Sequence, residues 1–255
     1  MDNILAVENL NKKVALTKTN ELHILKGINL KIKKGEFVSV MGPSGSGKTT
    51  LLYNVSGMDR ITSGKVWFKE REIGSLEEEE MAKIRLNSMG FVFQDINLLK
   101  NLSIIDNVIF PAFTLGKEDK KRIGKRAEDL LKMTGISEIA DNTITQASGG
   151  QLQRVGICRA LINDPDIIFG DEPTGALNSK AAAEIMSLLD KINQKGTTIM
   201  LVTHDAKVAA QTERVLFMVD GNIVSEKRMD KFDQNVRHLK ERTESVMKEL
   251  INNGI

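Results

Sequence analysis

Apolar and polar positions along the first third of the chain follow strand-like patterns. Ile4–Leu10 is a strand candidate, and Ile24–Ile32 alternates apolar with polar residues before the turn at Lys33-Lys34-Gly35. Short apolar runs predict further strands in the rest of the chain. These runs are Glu36–Met41, Lys65–Phe68, Gly90–Gln94, Asp166–Phe169, Thr198–Val202 and the hairpin Val215–Val219 with Ile223-Val224 around Asp220-Gly221.

Apolar residues at helical spacing predict helices between and after these strands. The predicted helices are Thr49–Ser56, residues 75–88, Lys117–Met133, Ser179–Ile192 and a tail that begins at about Arg228. Ser75 precedes Glu78 by three positions, which is the spacing of a capping box. The tail shows one apolar stripe, formed by Phe232, Val236, Leu239, Val246 and Leu250.

The order of these elements is strands, then a mainly helical stretch over residues 97–163, then alternating strands and helices. That order predicts an α/β fold. A length of 255 residues fits one large domain with a smaller insert. We therefore expect one domain over residues 1–228, an inserted helical subdomain at about residues 96–160, and a C-terminal helical extension over residues 229–255.

Charge and composition exclude several classes of protein. The net charge of +2 comes from 36 basic and 34 acidic residues, which is too even for a nucleic-acid-binding surface. The single cysteine, Cys158, forms no intrachain disulfide and favours a reducing compartment. No apolar run reaches the roughly 18–20 residues that cross a bilayer, and the first residues do not resemble a signal peptide. We expect no direct membrane insertion, so that any membrane role requires a partner.

A glycine-rich segment follows the predicted strand Glu36–Met41. It reads Gly42-Pro43-Ser44-Gly45-Ser46-Gly47-Lys48-Thr49 and matches the phosphate-binding pattern G-x-x-x-x-G-K-[ST] at every fixed position. The glycines let backbone N–H groups converge on phosphate oxygens, and the next helix points its positive end at them. Lys48 adds a charge, and Thr49 offers a hydroxyl to Mg²⁺. The segment predicts a nucleoside triphosphate site.

Two adjacent carboxylates end the predicted strand Asp166–Phe169. Asp171 falls where α/β sheets bind ligands, and it is suited to hold Mg²⁺. Glu172 can orient or deprotonate an attacking water. His204 follows the strand Thr198–Val202, and Gln94 is the last residue of the run Gly90–Gln94; neither carries a function by itself.

Ser148-Gly149-Gly150-Gln151 is a second anion-binding type of segment, since two glycines before a helix expose backbone N–H groups. A second such segment is useful if it serves another molecule's nucleotide. With this segment, the chain resembles the nucleotide-binding family of ABC transporters over roughly residues 3–228. The resemblance implies a P-loop (RecA-like) core with an N-terminal antiparallel β subdomain, ATP and Mg²⁺ as ligands, and ATP hydrolysis.

The resemblance also implies a role for each matched residue. Gly42–Thr49, with Thr50 beside it, corresponds to the Walker A nucleotide loop, and Ser148–Gln151 corresponds to the signature that caps the γ-phosphate on the opposite subunit. The implied catalytic residues are Glu172, His204, Lys48 and Gln94. The implied metal ligands are Thr49, Gln94 and Asp171. The family works as a dimer in the ATP-bound state, on the cytoplasmic face of the membrane beneath a separate permease.

The sequence from Asp171 to Leu177 is most similar to the macrolide-export and lipoprotein-release branch, and its Thr174-Gly175-Ala176 variant looks like the bacitracin and antimicrobial-peptide resistance transporters. We expect the permease to dock around Asp95–Val108. One alternative is a regulatory module that controls a sensor kinase or a cell-wall hydrolase through its permease. Another is a soluble ABC protein of translation or DNA repair, although such proteins usually carry two ATPase domains or a long insertion.

Three positions depart from the family pattern. Ala147 replaces the leucine before the signature, Asn178 replaces an aspartate that links the two active sites, and Val14 stands where an aromatic residue usually stacks on adenine. Preference for ATP over GTP is therefore open. Cys158, Trp67 and Tyr53 are interpreted as packing residues. His23 lies near the expected adenine region without a motif to support a role.

Overall fold

The computed structural model describes residues 3–17 and 19–255. Within these ranges the strands are β1 (Asn3–Ala15), β2 (Glu21–Lys33), β3 (Phe37–Met41), β4 (Ser63–Phe68), β5 (Arg71–Glu72), β6 (Met89–Phe93), β7 (Ile167–Asp171), β8 (Thr198–Thr203), β9 (Arg214–Val219) and β10 (Asn222–Arg228). The helices are α1 (Lys48–Val55), α2 (Glu78–Ser88), α3 (Ile104–Leu115), α4 (Lys120–Thr134), α5 (Gly149–Leu161), α6 (Ser179–Gln194), α7 (Ala206–Ala209) and α8 (Val236–Asn252). Each strand predicted from the sequence is present, and β1 and β2 are longer than predicted.

The strands form two sheets. The first is antiparallel, with the order β2-β1-β4-β5. The second has the order β10-β9-β3-β8-β7-β6, in which every neighbouring pair is parallel except the hairpin of β9 and β10. The turn of that hairpin has positive φ at Asp220 and Gly221, as its sequence predicts.

Parallel pairing brings the carboxyl ends of five strands, β9, β3, β8, β7 and β6, to one edge of the second sheet. Met41 of β3 lies beside Thr203 of β8, and Asp171 of β7 lies between Val202 and Phe93 of its two neighbours. The residues that directly follow these strands therefore converge at this edge, which is where α/β sheets bind ligands.

Two hydrophobic clusters cover the faces of the second sheet. One fills the space between the two sheets and α1, and includes Leu51, Phe169 and Met200. The other packs α5 and α6 on the opposite face, and includes Ile157 and Leu189. Because both faces are covered, all side chains of β8 are buried.

The stretch between β6 and β7 forms its own helical cluster. Helices α3, α4 and α5 pack around residues such as Val108, Leu131 and Val155. Cys158 lies inside this cluster, and its burial raises the pKa of the thiol to about 12. The interpretation of Cys158 as a core residue is confirmed.

The predicted capping box of Ser75 is wrong. Helix α2 begins at Glu78 after Glu77, and no side chain caps it. The Ser75 hydroxyl instead donates to the Glu72 carboxylate, which also accepts from the Gly74 amide at 2.8 Å. The Ser75 side chain is therefore directed to a charged acceptor, and the helix starts with Glu77 at its N-cap position, two residues after Ser75.

The C-terminal helix begins later than predicted. Strand β10 continues through Arg228, and Asn235 caps α8 by accepting from the Arg237 amide at 2.9 Å. Val246 is fully buried against α7 and β9, but Val236 is 82% exposed, so the predicted stripe does not include it. Phe232 is buried although it precedes the helix, because the Arg242 guanidinium lies over its ring.

Candidate active site

The glycine-rich loop connects β3 to α1 and is shaped by close contacts with its surroundings. A β-carbon on Gly42 would lie 2.0 Å from the carbonyl oxygen of Met218, so only glycine fits there. Gly47, directly before α1, has a φ of 98°, which favours glycine. The Ser46 carbonyl accepts from the Gly221 amide at 3.0 Å and joins the loop to the hairpin of β9 and β10.

Lys48 is buried beneath this loop. Its ammonium group donates to the carbonyl oxygens of Gly42 at 2.9 Å and of Pro43 at 2.8 Å. Burial lowers the pKa of Lys48, and the negative charges of Glu172 and Asp171 partly oppose that shift. The ammonium is therefore held within the loop, where a phosphate would meet it.

The loop also contains a buried polar atom with no partner. The Ser46 hydroxyl oxygen is buried and makes no hydrogen bond with any residue in the described part of the chain. Such an atom normally finds a partner. A loop with an unpartnered hydroxyl, a buried ammonium and the positive end of α1 fits a phosphate group.

Thr49 and Asp171 meet at the edge of the sheet. The Thr49 hydroxyl donates to Asp171 Oδ1 at 2.9 Å. Burial raises the pKa of Asp171, and the hydrogen bonds of Thr49 and Tyr53 oppose that shift. Among residues 3–17 and 19–255 no group of three or more His, Cys, Asp or Glu side chains comes together. The pair of Thr49 and Asp171 therefore fits a cation that takes its other oxygen ligands from phosphate and water, as Mg²⁺ does.

Glu172 and His204 face each other across the same edge. His204 Nδ1 lies 2.8 Å from Glu172 Oε2. Glu172 has a positive φ of 46°, which is uncommon for a residue with a side chain, and its amide donates to the Val202 carbonyl at 3.0 Å. Strained backbone of this kind is frequent at functional sites and costs about 1–3 kcal/mol.

Lys48, Thr49, Glu172 and His204 line one cleft with a volume of about 840 Å³, a size typical of small-molecule sites, and Asp171 lies just outside its lining. Its lining comprises Leu22, His23, Ile24, Lys26, Ser44, Gly45, Gly47, Lys48, Thr49, Thr50, Glu172, His204, Asp220 and Gly221. Gln94 is not in this lining. The backbone N–H of Gln94 donates to the Asp171 backbone carbonyl at 2.9 Å, while the Gln94 side chain lies against Gly175.

Ser148–Gln151 lies in a separate depression of about 430 Å³, which it shares with Asn178. Ser148 caps α5 and forms a capping box with Gln151. The Ser148 backbone N–H donates to the Gln151 side-chain oxygen at 2.9 Å, and the Ser148 hydroxyl accepts from the Gln151 backbone N–H. Ser148 and Gly149 are exposed. Within the described ranges, no residue lines both this depression and the cleft.

Sequence reasoning missed two residues near the site. Tyr53 was interpreted as packing, but it lies one helical turn after Thr49, and burial together with the Asp171 carboxylate raises the pKa of its hydroxyl. The four-residue spacing from Thr49 is a signal that could have found it. Gln153, which is buried in α5, donates to the Phe93 carbonyl at 3.1 Å and joins the signature helix to the residue before Gln94. No sequence signal indicates that contact.

A family model described as ABC transporter matches residues 25–175, which is more than half of the chain. The chain belongs to the ABC transporter family. It is an ATPase subunit of that family, and the prediction of an α/β P-loop fold is confirmed.

Individual relatives agree with this assignment. The bacitracin export ATP-binding protein BceA of Halalkalibacterium halodurans is 42% identical over 88% of each chain. The macrolide export ATP-binding/permease protein MacB of Bartonella henselae is 42% identical over 88% of this ATPase, which spans only about a third (34%) of MacB. The resemblance to this branch is confirmed.

A solved structure shares the fold. The ATP-binding cassette MJ0796 of Methanocaldococcus jannaschii, as a dimer in a post-hydrolysis state with ADP and phosphate, is 40% identical, with a TM-score of 0.83. The match covers 89% of this ABC ATPase and all of that chain. In the described part of the ATPase, no helix is long and apolar enough to cross a membrane.

The departures from the family pattern have local explanations in this ABC ATPase. Asn178 caps α6 by accepting from the Ala181 amide at 2.9 Å, which an aspartate would also do. Ala147 is half-buried against the helical cluster. Val14 is 39% exposed and is not among the residues that line the cleft.

Proposed function

We propose that two copies of this chain sandwich two ATP–Mg²⁺ units head to tail, and that hydrolysis drives a separate permease. The observation that supports the proposal is the separation of two half-sites. The cleft at Gly42–Thr49 and the depression at Ser148–Gln151 share no lining residue within the described ranges. A second copy would supply the signature that one cleft lacks.

In this proposal the chain divides as the sequence indicates. Residues 1–228 form the ATP-binding domain, with a helical subdomain inserted at about residues 96–160, and residues 229–255 form a C-terminal extension. The signature lies at the start of α5, on the inserted subdomain. Movement of that subdomain would then change the fit between the two half-sites.

The proposed chemistry assigns one task to each residue of the cleft. Lys48 exchanges its bonds to Gly42 and Pro43 for bonds to phosphate oxygens, as its position inside the loop allows. Glu172 orients the attacking water or takes its proton, and His204 holds that water with it. Bound Mg²⁺, held by Thr49, Asp171 and Gln94, would supply positive charge that stabilises the transferred phosphoryl group.

Gln94 has a second proposed task, which is to sense the permease. It follows β6, close to the segment Asp95–Val108 where we propose that the permease docks. Its side chain rests against Gly175, four residues after Asp171. A shift of the Gln94 side chain would therefore change its contact with Gly175, in the loop that follows Asp171 and Glu172.

We infer that the permease belongs to an export system for antimicrobial peptides or other antibiotics and that the chain works at the cytoplasmic face. Support comes from BceA, a relative of similar length whose name refers to bacitracin export. A role in sensing rather than transport is not favoured by any feature of the chain.

A pull-down from membranes and a bacitracin sensitivity assay in cells test this proposal together. A tagged chain, recovered from membranes in mild detergent, is expected to bring a permease with it. Cells that lack the chain are expected to be more sensitive to bacitracin, and the wild-type chain or the exposed control Glu128→Gln should restore resistance while Glu172→Gln should not. Recovery with ribosomes or nucleic acid, or unchanged sensitivity, would contradict the proposal.

A further inference from the structure

The nucleotide cleft has an end that the motif residues leave unexplained. On the β2 side of its lining stand Leu22, His23, Ile24 and Lys26. When phosphates lie in the glycine-rich loop, this end of the cleft is available to the base. Among the described residues no phenylalanine, tyrosine or tryptophan lines the cleft, and the aromatic rings of its lining are the imidazoles of His23 and His204.

Asn11 of β1 fixes the hydrogen-bonding state of His23. The Asn11 amide nitrogen donates to the Asn9 carbonyl at 2.8 Å, and Asn11 Oδ1 accepts from the Gly27 amide at 2.9 Å. These two bonds determine which end of the Asn11 side chain is the oxygen. The same oxygen lies 3.0 Å from His23 Nε2.

The tautomer of His23 follows from this contact. Because Asn11 Oδ1 only accepts, His23 Nε2 must carry a hydrogen. The other ring nitrogen, Nδ1, is then an acceptor when the imidazole is neutral. Among residues 3–17 and 19–255 that nitrogen has no hydrogen-bond partner. The cleft therefore ends in a half-buried side chain that offers an acceptor.

One exposed apolar side chain also lines this side of the cleft. It belongs to Leu22, the residue before His23 in β2, and it is 50% exposed. A flat ring can rest on an apolar side chain of this kind while its edge meets His23. Lys26 is the other polar side chain at this end, and it only donates.

We propose that His23 selects the purine base, with Nδ1 accepting a hydrogen bond from the 6-amino group of adenine. A 6-oxo base places an acceptor against this acceptor, which leaves both groups unsatisfied. Unsatisfied polar groups of this kind typically change affinity by about 10- to 100-fold. This inference rests on the proposed nucleotide site and adds the reason why the chain takes ATP rather than a 6-oxo nucleotide.

The inference is tested by measuring the affinities of ATP and inosine triphosphate by calorimetry, because these two nucleotides differ mainly at position 6 of the base. The Glu172→Gln chain is used so that neither nucleotide is consumed. We expect ATP to bind at least ~10-fold more tightly than inosine triphosphate. His23→Phe keeps an aromatic ring of similar shape without the acceptor, and should weaken ATP until the two affinities agree within about twofold.

Three further variants separate the possible causes. Asn11→Leu removes the bond that fixes the tautomer and should reduce the preference in part, whereas the exposed His238→Phe should preserve it. If Lys26→Ala changes the preference for ATP over inosine triphosphate and His23→Phe does not, then Lys26 is the residue that distinguishes the bases and the inference is wrong. Equal binding of both nucleotides by the parent chain would also overturn it. Binding of neither would instead contradict the proposed nucleotide site itself.

Discussion

The phosphate-loop half-site and the signature half-site are built by different means. Around Lys48 the loop is held by the core: Met218 crowds Gly42, Asp171 accepts from Thr49, and the sheet edge supplies Glu172. Around Ser148 the backbone is held by its own capping box, and the surface stays exposed. Core packing thus prepares the cleft that we propose to bind ATP, while local capping prepares an exposed surface that we propose to complete the cleft of a second molecule.

Buried charged groups are a second feature of the phosphate-loop half-site. Burial lowers the pKa of Lys48 and raises the pKa of Asp171, so the ligand-free cleft disfavours both charges. A nucleotide and a cation would restore them. The comparison therefore predicts that variants of the first half-site change nucleotide binding by a single chain or the hydrolysis step, whereas variants of the second change the association of two chains.

The largest expected effect is on turnover. Glu172→Gln should reduce ATP hydrolysis by about 10²–10⁴-fold, because it removes the group that handles the proton of the attacking water. ATP affinity should be unchanged, as measured by calorimetry. The matched change Glu128→Gln, on the exposed face of α4, should leave turnover intact. Wild-type turnover in Glu172→Gln would refute the catalytic role of this carboxylate.

The next effect is on binding. Lys48→Ala should weaken ATP by about 10- to 100-fold, since a charge-assisted hydrogen bond contributes about 1.5–3 kcal/mol. Lys125→Ala, an exposed position on α4, is the control. Binding is measured in a dilute, monomeric sample so that the signature half-site plays no part. Equal affinity in Lys48→Ala would show that the loop does not hold phosphate.

A pH effect tests the helix that carries the signature. The pKa of Cys158 rises from 9.0 to about 12 on burial, so above pH 9 the unfolded chain releases a proton that the folded chain retains. Folding stability contributed by this thiol should therefore fall by about 1.4 kcal/mol per pH unit between these values. Cys158→Ala should lack this part of the slope in urea unfolding. Identical slopes for both chains would contradict the burial of the thiol.

The smallest expected effect is on the cap of α5. Ser148→Ala removes the hydroxyl that accepts from the Gln151 amide, which should cost about 1 kcal/mol of stability. Thermal unfolding should shift by about 2–4 °C. ATP affinity of the monomer should stay as in the wild type. A loss of monomer affinity as large as that of Lys48→Ala would remove the distinction between the two half-sites.

The sequence predicted those parts of the site that depend on contiguous residues. The loop from Gly42 to Thr49 and the signature at Ser148–Gln151 each place several backbone amides by local geometry, so their residue types and spacing are constrained. Asp171 and His204 were found because each follows an apolar strand, and parallel strands end at a common edge.

The remaining features depend on contacts between distant or competing groups. The hydroxyl of Ser75 donates to the Glu72 carboxylate, and the spacing rule could not reveal that contact. The contact of Asn11 with His23 depends on irregular pairing between β1 and β2, where the register shifts several times. The late start of α8 reflects the pairing of Arg228 with Arg214 across β10 and β9.

The most direct test of the central claim is the mass of the Glu172→Gln chain in solution with and without ATP and Mg²⁺, by light scattering after size exclusion. We predict a monomer without nucleotide and a dimer with it. Adding Ser148→Arg to the same chain should keep ATP binding but abolish the dimer, because a large cation blocks the surface that meets the partner's nucleotide. An ATP-dependent dimer of unchanged strength in the double variant, or no dimer in Glu172→Gln, would contradict the composite site.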